Sequence, residues 1–455
     1  MKRALALSPA ARVQLTLYRC LAAMCRATFA LWSACAALTG ERRPVLDERL
    51  GRWSGPISAG RDVVWLHAAS VGEVGVARVL VERLRRERPT AHLLLTCNTP
   101  TGRAAALEAG VDEVRYFPLD HPAVVAGVVA RAEPSLFVFV ETEIWPALLL
   151  ELAARGVATV MVNACVSARS FSRYRRVRAL IGAALGGVSL VCGRDEESLQ
   201  RLLSLGVDPA RALVVGDLKF DGVGPDEVEG AGDLLAGLTG ADAVLLAAST
   251  HAGEDEQVLA AFDRVCAEHG ASRLVLAPRH PQRSAAVLEL ARSGSRTAVA
   301  WSELARSRSA DWRVLVVDST GELRGFMRSS VGAFVGGTLV DVGGHSLVEP
   351  SAFGLPTVAG PHLGGVADQA DGLRACDALT VVDDAEGLAG CWQRWLADAP
   401  AAAAAGRRAR AFVEGHRGAL DRTLDAMRPL LPGRAGDGAQ VEHRDDRRGN
   451  IGVAR

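Results

Sequence analysis

From residue 56 onward, short apolar runs alternate with longer stretches whose apolar positions recur every three or four residues, the pattern of strands interleaved with amphipathic helices. Runs at 63–67, 93–96, 136–140, 159–162, 189–192 and 213–215 are apolar nearly throughout, so they read as parallel strands buried on both faces. The stretches 75–87 and 194–205 read as helices, the second stopped by Gly206. A second series of strands is expected at 243–248, 273–277, 314–317, 332–335, 357–359 and 379–382. Between the two series, residues 221–240 are rich in Gly, Asp and Glu and read as a hinge. The pattern predicts two doubly wound α/β domains in tandem, whose ligands bind beyond the carboxyl ends of the strands, in the cleft between the domains. The boundaries it suggests are 1–44 for an amino-terminal helical segment, 45–222 and 241–431 for the domains, 223–240 for the linker and 432–455 for a disordered tail.

The amino-terminal segment has its own pattern. Residues 13–38 are mostly apolar, but Arg19 and Arg26 interrupt them, leaving 27–39 as the longest uninterrupted piece. That is shorter than the roughly 20 residues a membrane span requires. Arg12, Arg19 and Arg26 stand seven apart and so share one helical stripe, with Lys2 and Arg3 upstream. The expected element is a helix lying in the headgroup layer of an anionic membrane, facing the cytoplasm. A signal peptide ending near Ser33-Ala34-Cys35-Ala36-Ala37 and a short span with snorkelling arginines are the rivals.

Composition narrows the classes. Hydrophobic residues make up 49% and charged residues 23%, enough for packed cores and too apolar for a disordered chain. Lys+Arg and Asp+Glu both number 52, so nothing marks a nucleic-acid-binding protein. The nine cysteines are scattered and contain no C-x-x-C pair, which argues against a zinc site or a disulfide framework.

The residues that carry chemistry follow the strands. His67-Ala68-Ala69-Ser70-Val71-Gly72-Glu73 places Glu73 where a helix begins. Ser70-x-x-Glu73 is also a capping box, and such a helix-start carboxylate is expected to stay ionised and able to accept a proton. Glu141-Thr142-Glu143-Ile144-Trp145-Pro146 sets two carboxylates and an indole at a strand end, where charged pairs usually face a cleft. Asn163, Ser167-Ala168-Arg169-Ser170 and the arginines at 173, 175, 176 and 178 follow; they suit phosphates, a membrane or plain solvent. Asp217-Leu218-Lys219-Phe220-Asp221 sets a cation between acids. In the second half, Pro278-Arg279-His280-Pro281 offers a guanidinium for phosphate. The glycines of 334–338 and 343–346 are expected to expose backbone N–H groups to an anion, with Glu349 taking ribose hydroxyls. Ser346-x-x-Glu349 and Ser319-x-x-Glu322 read as further capping boxes.

Taken in order, HAASVGE, TPTG (99–102), ETEIWP, N-A-x-x-SARS, LKFD, STHAGE (249–254), PRHP, GEL (321–323), FVGG and GGH-x-x-x-EP resemble the motifs of 3-deoxy-D-manno-octulosonic acid (Kdo) transferases. The resemblance runs from about Arg49 to His362. It implies an inverting glycosyltransferase of GT-B fold, two Rossmann-like domains facing a central cleft, that moves Kdo from CMP-Kdo to a lipid A precursor in lipopolysaccharide synthesis. It also implies work at the cytoplasmic side of the inner membrane, with membrane lipids as partners and no cofactor or metal. By motif position Glu73 corresponds to the general base, and Glu143 and Lys219 to transition-state stabilisers. Pro278 and Arg279, then Gly321, Glu322 and Leu323, then Ser346, Leu347, Val348 and Glu349 correspond to CMP-binding segments. Three departures stand out: Ser346 replaces a usual Asn, Cys165 a usual Arg, and Leu363-Gly364-Gly365 a usual aromatic stretch. Another GT-B glycosyltransferase or a nucleotide-sugar epimerase is the alternative, because fold alone does not fix chemistry.

Overall fold

A computed structural model describes residues 7–38, 44–55, 57, 60–224, 231–294 and 296–431. The chain divides into two compact units: the residues up to Val215 together with those from Leu420 onward, and Gly216–Ala419. The expected tail at 432–455 lies outside the described residues, as do Lys2, Arg3 and part of the expected hinge.

The first unit is built on seven parallel strands: β1 (Val63–His67), β2 (His92–Cys97), β3 (Glu113–Tyr116), β4 (Pro134–Val140), β5 (Ala158–Ala164), β6 (Leu190–Gly193) and β7 (Ala212–Val214). Their order is β3-β2-β1-β4-β5-β6-β7. β1 and β2 are buried at every residue, because helices cover both faces of the sheet. In the second unit the strands are β8 (Ala243–Thr250), β9 (Ser272–Pro278), β10 (Ala298–Ala300), β11 (Val314–Val316), β12 (Gly332–Val335), β13 (Thr357–Ala359) and β14 (Leu379–Val381). They order as β10-β11-β9-β8-β12-β13-β14.

Each sheet therefore reverses its winding once, between β1 and β4 in the first unit and between β8 and β12 in the second. Loops leaving paired strands at such a point diverge and leave a crevice, which is where open α/β sheets hold their ligands. The switch points bring together segments far apart in sequence: 67–73 with 141–146, and 249–254 with 336–346.

Two strands escaped the sequence pattern, β3 and β10, and both are sheet edges. β3 alternates buried and half-buried positions and carries Glu113 and Arg115; β10 is only three residues long. The last helix, Ala419–Met427, also departs from the expected boundaries. From Leu420 it belongs to the first unit, where Asp421 pairs with Arg83 at 2.9 Å and Arg422 donates to the Val215 carbonyl at 2.7 Å.

The amino-terminal helix, Pro9–Leu38, is amphipathic in three directions. One face docks on the first unit. Ala11 and Leu15 are buried, Tyr18 joins the main core, and the Gln14 side-chain carbonyl accepts the Leu180 N–H at 2.9 Å. The Tyr18 hydroxyl donates to Asp120 at 2.7 Å, and this buried carboxylate also accepts the Ala147 and Leu148 N–H groups at the start of helix Pro146–Arg155. A second face holds Arg12, Arg19 and Arg26, all exposed. A third holds Val13, Leu17, Leu21, Met24 and Leu31, also exposed, with Leu17 at 66%. Among the described residues no helix is long and apolar enough to cross a membrane.

Asp120 thus ties the helix to the core. Tyr18→Phe should destabilise the first unit by about 1–2 kcal/mol, since it removes one hydrogen bond to a charged, buried group. A urea titration of wild type and variant, followed by fluorescence, measures this.

Candidate active site

At the first switch point Ser70 caps helix Val71–Glu87, its hydroxyl accepting the Glu73 N–H at 3.4 Å. The return contact differs from a standard capping box, because the Glu73 carboxylate takes the Ala69 N–H at 2.8 Å and the Ser70 hydroxyl at 2.9 Å. Helix Pro100–Leu107 wedges against this loop. A side chain at Gly102 would meet Thr99 Oγ1 at 2.9 Å and the Ala69 carbonyl at 3.4 Å, so only glycine fits there without displacement.

The expectation that Glu73 stays ionised and can accept a proton meets a more buried setting than the spacing suggests. Burial pushes its pKa up to about 7; the Ala69 and Ser70 hydrogen bonds pull it down, and the charges of Glu143 and Glu141 push it up. A carboxylate that titrates near neutral pH is a stronger base than an exposed one and is still substantially ionised.

Glu143 stands across the switch point, beyond the end of β4. Its Oε2 receives Trp145 Nε1–H at 3.0 Å and Asn98 Nδ2–H at 3.3 Å, and His67 Nε2 lies 3.3 Å away. Glu141, which opens this turn, adopts a left-handed conformation (φ 57°), as does Asn163 (φ 51°) at the end of β5. Left-handed backbone is uncommon for non-glycine residues and clusters at functional sites. The arginine-bearing helix Ala168–Arg176 is capped by Ser167 and reaches this turn through the Tyr174 hydroxyl, which donates to the Thr142 carbonyl at 3.2 Å.

Glu73 and Glu143 are thus brought together in the first unit. Lys219 belongs to the second unit, in the short helix Leu218–Phe220 capped by Asp217. Its neighbours fasten that segment inside the second unit. Phe220 stacks on His416, Asp221 accepts the Gly418 N–H at 2.6 Å, and Arg324 donates to the Gly222 carbonyl at 2.8 Å.

At the second switch point Arg279 follows β9, with its N–H on the Thr250 carbonyl at 3.0 Å. Arg279 and Arg324 both act on Glu349, whose pKa burial raises and these two cations lower. The Pro278-Arg279, Gly321–Leu323 and Ser346–Glu349 segments therefore converge. Neither expected capping box exists here. The helix after Glu322 starts at Leu323 and the one after Ser346 at Val348, so each serine stands too far upstream to cap, and no side chain caps either helix. Ser346 is exposed. Ser319 Oγ and Glu322 Oε2 are buried without a hydrogen-bond partner among the described residues, a costly arrangement that a polar ligand or water relieves.

The glycine-loop expectation is also corrected. Gly337, Thr338 and Leu339 turn their N–H groups inward onto the fully buried Glu254 carboxylate at 2.7–2.9 Å, and His251 N–H adds a fourth bond at 2.9 Å. Gly336 is required by close packing, since a Cβ there would sit 2.4 Å from the Ser249 carbonyl. Side chains line this edge instead: His251 and His345 meet Nε2 to Nε2 at 2.7 Å, with His280 beside His251. Burial, then Arg279 and the neighbouring imidazoles, hold His345 down at about 4. Among the described residues no group of three or more His, Cys, Asp or Glu side chains is placed to hold a metal ion.

Asn98 and Tyr174 were not singled out from the sequence. Asn98 follows β2, the neighbour of β1, and applying the strand-end rule to every strand finds it. Tyr174 sits on a helix of arginines and carries no such signal.

Two Rossmann-like sheets with chemistry at their switch points define a GT-B-type protein. Solved structures agree on the fold: the UDP-N-acetylglucosamine 2-epimerase from Neisseria meningitidis bound to UDP-GlcNAc has a TM-score of 0.54 at 10% identity, covering 81% of this chain and 100% of that one. A family model described as 3-deoxy-D-manno-octulosonic-acid transferase (kdotransferase) matches residues 45–222. The 3-deoxy-D-manno-octulosonic acid transferase of Haemophilus influenzae is 33% identical over 395 residues, 86% of this chain and 92% of that one. The enzyme of the same name from Bordetella pertussis is 34% identical over 390 residues, 81% of this chain and 87% of that one. The chain belongs to the 3-deoxy-D-manno-octulosonic acid transferase family.

Glu73 carries a stability signature that needs no substrate. Its folded pKa of about 7 exceeds the ordinary 4.5. Both states are protonated below that lower value; between the two values only the folded state keeps the proton, so stability falls as pH rises and levels off above about 7. Glu73→Gln should match wild type at pH 4 and exceed it by on the order of 1–2 kcal/mol at pH 8, a figure discounted for partial exposure. Denaturation at the two pH values tests the sign.

Proposed function

We propose that this Kdo transferase takes its sugar from CMP-Kdo and delivers it, with inversion, to a hydroxyl of a lipid A precursor such as lipid IVA, in lipopolysaccharide synthesis at the cytoplasmic side of the inner membrane. The observation that carries the reading is the Glu73 carboxylate, held to titrate near neutral pH beside Glu143. In the proposed step the acceptor hydroxyl gives its proton to Glu73 while its oxygen bonds to the anomeric carbon of Kdo. The bond from that carbon to the phosphate oxygen breaks, and CMP leaves with the electron pair. Charge that develops on the sugar and on the departing phosphate is met by Glu143 and Lys219. CMP is held by Pro278, Arg279, Gly321, Glu322, Leu323, Ser346, Leu347, Val348 and Glu349, and no metal or other cofactor takes part. Support on the donor side comes from the convergence of Arg279, Arg324 and Glu349 and from the unpartnered Ser319 and Glu322 atoms.

The membrane reading is supported by the amino-terminal helix. Its docked face leaves the arginine stripe and the apolar stripe both facing outward, which suits a helix bedded at the boundary between headgroups and acyl chains.

Incubation with CMP-Kdo and lipid IVA, followed by mass spectrometry, should show addition of Kdo. Glu73→Ala should remain folded and bind CMP but lose about 1,000-fold in turnover, within the range for removal of a general base. Near-wild-type turnover removes Glu73 from the mechanism, and tighter binding of UDP than CMP removes the proposed donor. For the membrane reading, Leu17→Asp combined with Met24→Asp should weaken sedimentation with anionic vesicles by about 10-fold or more while leaving CMP binding unchanged.

A further inference from the structure

His67 is fully buried at the end of β1, its ring stacked on Phe117 with centroids 3.9 Å apart. Its hydrogen-bond surroundings can be accounted for atom by atom. Nδ1 faces the Thr96 carbonyl at 3.0 Å and Thr96 Oγ1 at 3.1 Å. The carbonyl can only accept. The hydroxyl accepts Trp65 Nε1–H at 2.9 Å and gives its single proton to the Leu66 carbonyl at 3.2 Å, so it too is an acceptor toward His67. Nδ1 must therefore carry a proton. On the other side Nε2 faces Glu143 Oε2 at 3.3 Å, and that oxygen already receives N–H groups from Trp145 and Asn98. An oxygen that collects N–H donors is not the one carrying an acid hydrogen, so the hydrogen between the two groups belongs on Nε2.

We propose that His67 donates a hydrogen bond from each ring nitrogen and is a positioning residue for Glu143: anchored on Thr96, it fixes Oε2 together with Trp145 and Asn98. Glu143 Oε1 accepts no hydrogen bond among the described residues and is the end left to face reacting charge. Glu73 from the helix start and Tyr174 from the arginine helix both feel the charge of Glu143, while Glu141 acts on Glu73 and Arg173 on Tyr174. The anion held by His67 is one of the charges that raise the pKa of Glu73, so the imidazole acts on the base through Glu143. The inference rests on the role proposed for Glu143.

Nitrogen-15 NMR of histidine-labelled full-length protein at pH 7.5 tests it without catalysis. Both ring nitrogens of His67 should carry protons; one bare nitrogen overturns the proposal. A protonated ring in a protein that transfers no Kdo counts against the proposed function and leaves this inference standing. In the transfer assay His67→Phe should lower kcat on the order of 100-fold, the scale set by a small misplacement of a catalytic group, with KM for CMP-Kdo unchanged. His67→Gln, which can still donate to Glu143, should recover about 10-fold of that loss. A glutamine variant as slow as the phenylalanine one overturns the positioning role.

Discussion

Two carboxylates share one half-buried space at the first switch point, and burial, reinforced by the repulsion between them, is the constraint on which the chemistry of the first unit depends. Glu73 lies at a helix start, where the partial positive charge of the backbone and two hydrogen bonds favour its anion. Burial and the charge of Glu143 favour its acid. These opposing effects nearly balance, and a near balance around neutral pH is what a base that must take and later release a proton requires. Three N–H groups converge on Glu143 Oε2 and secure the second carboxylate, while the first stays adjustable.

The sheet topology supplies this geometry, with left-handed backbone at Glu141 and Asn163 at the strand ends. β1 lies between β2 and β4, so the ends of three strands deliver His67, Asn98 and Glu143 to one spot. The core beneath them is aromatic: Trp65, Phe117 and Phe137 pack around the strand that ends in His67. Close packing of that kind resists displacement, which is why a side chain resting on it can be held to a fraction of an ångström.

Much of this was legible in the chain. Uniformly apolar runs mark buried parallel strands, and twelve strands were expected close to where they occur. β3 and β10 were not, because an edge strand is half wetted and short, so its composition carries little signal. At the site, the strand-end rule located Glu73, Glu143, Arg279 and Glu349. What it could not reveal was the direction of hydrogen bonds. The glycines after β12 look like an anion cradle in sequence, yet their N–H groups are consumed by Glu254, which lies 83 residues before Gly337. Serine three residues before glutamate looks like a cap at 319 and at 346, yet each helix starts later than the spacing assumes. Only at Ser70 does spacing coincide with a helix start.

The way Glu254 is used bears on donor chemistry. Glycine loops that bind pyrophosphate do so by turning several N–H groups toward the ligand. Here an internal carboxylate satisfies those groups, so they are not turned toward a ligand. Recognition of an anion then falls to side chains, among them Arg279 and Arg324, both drawn toward Glu349. The two imidazoles that meet at 2.7 Å add hydrogen-bonding capacity without a fixed charge, since burial and nearby arginines disfavour their protonation. A surface so equipped meets an anion with side chains rather than with a glycine cradle, in a fold that does not by itself fix the ligand.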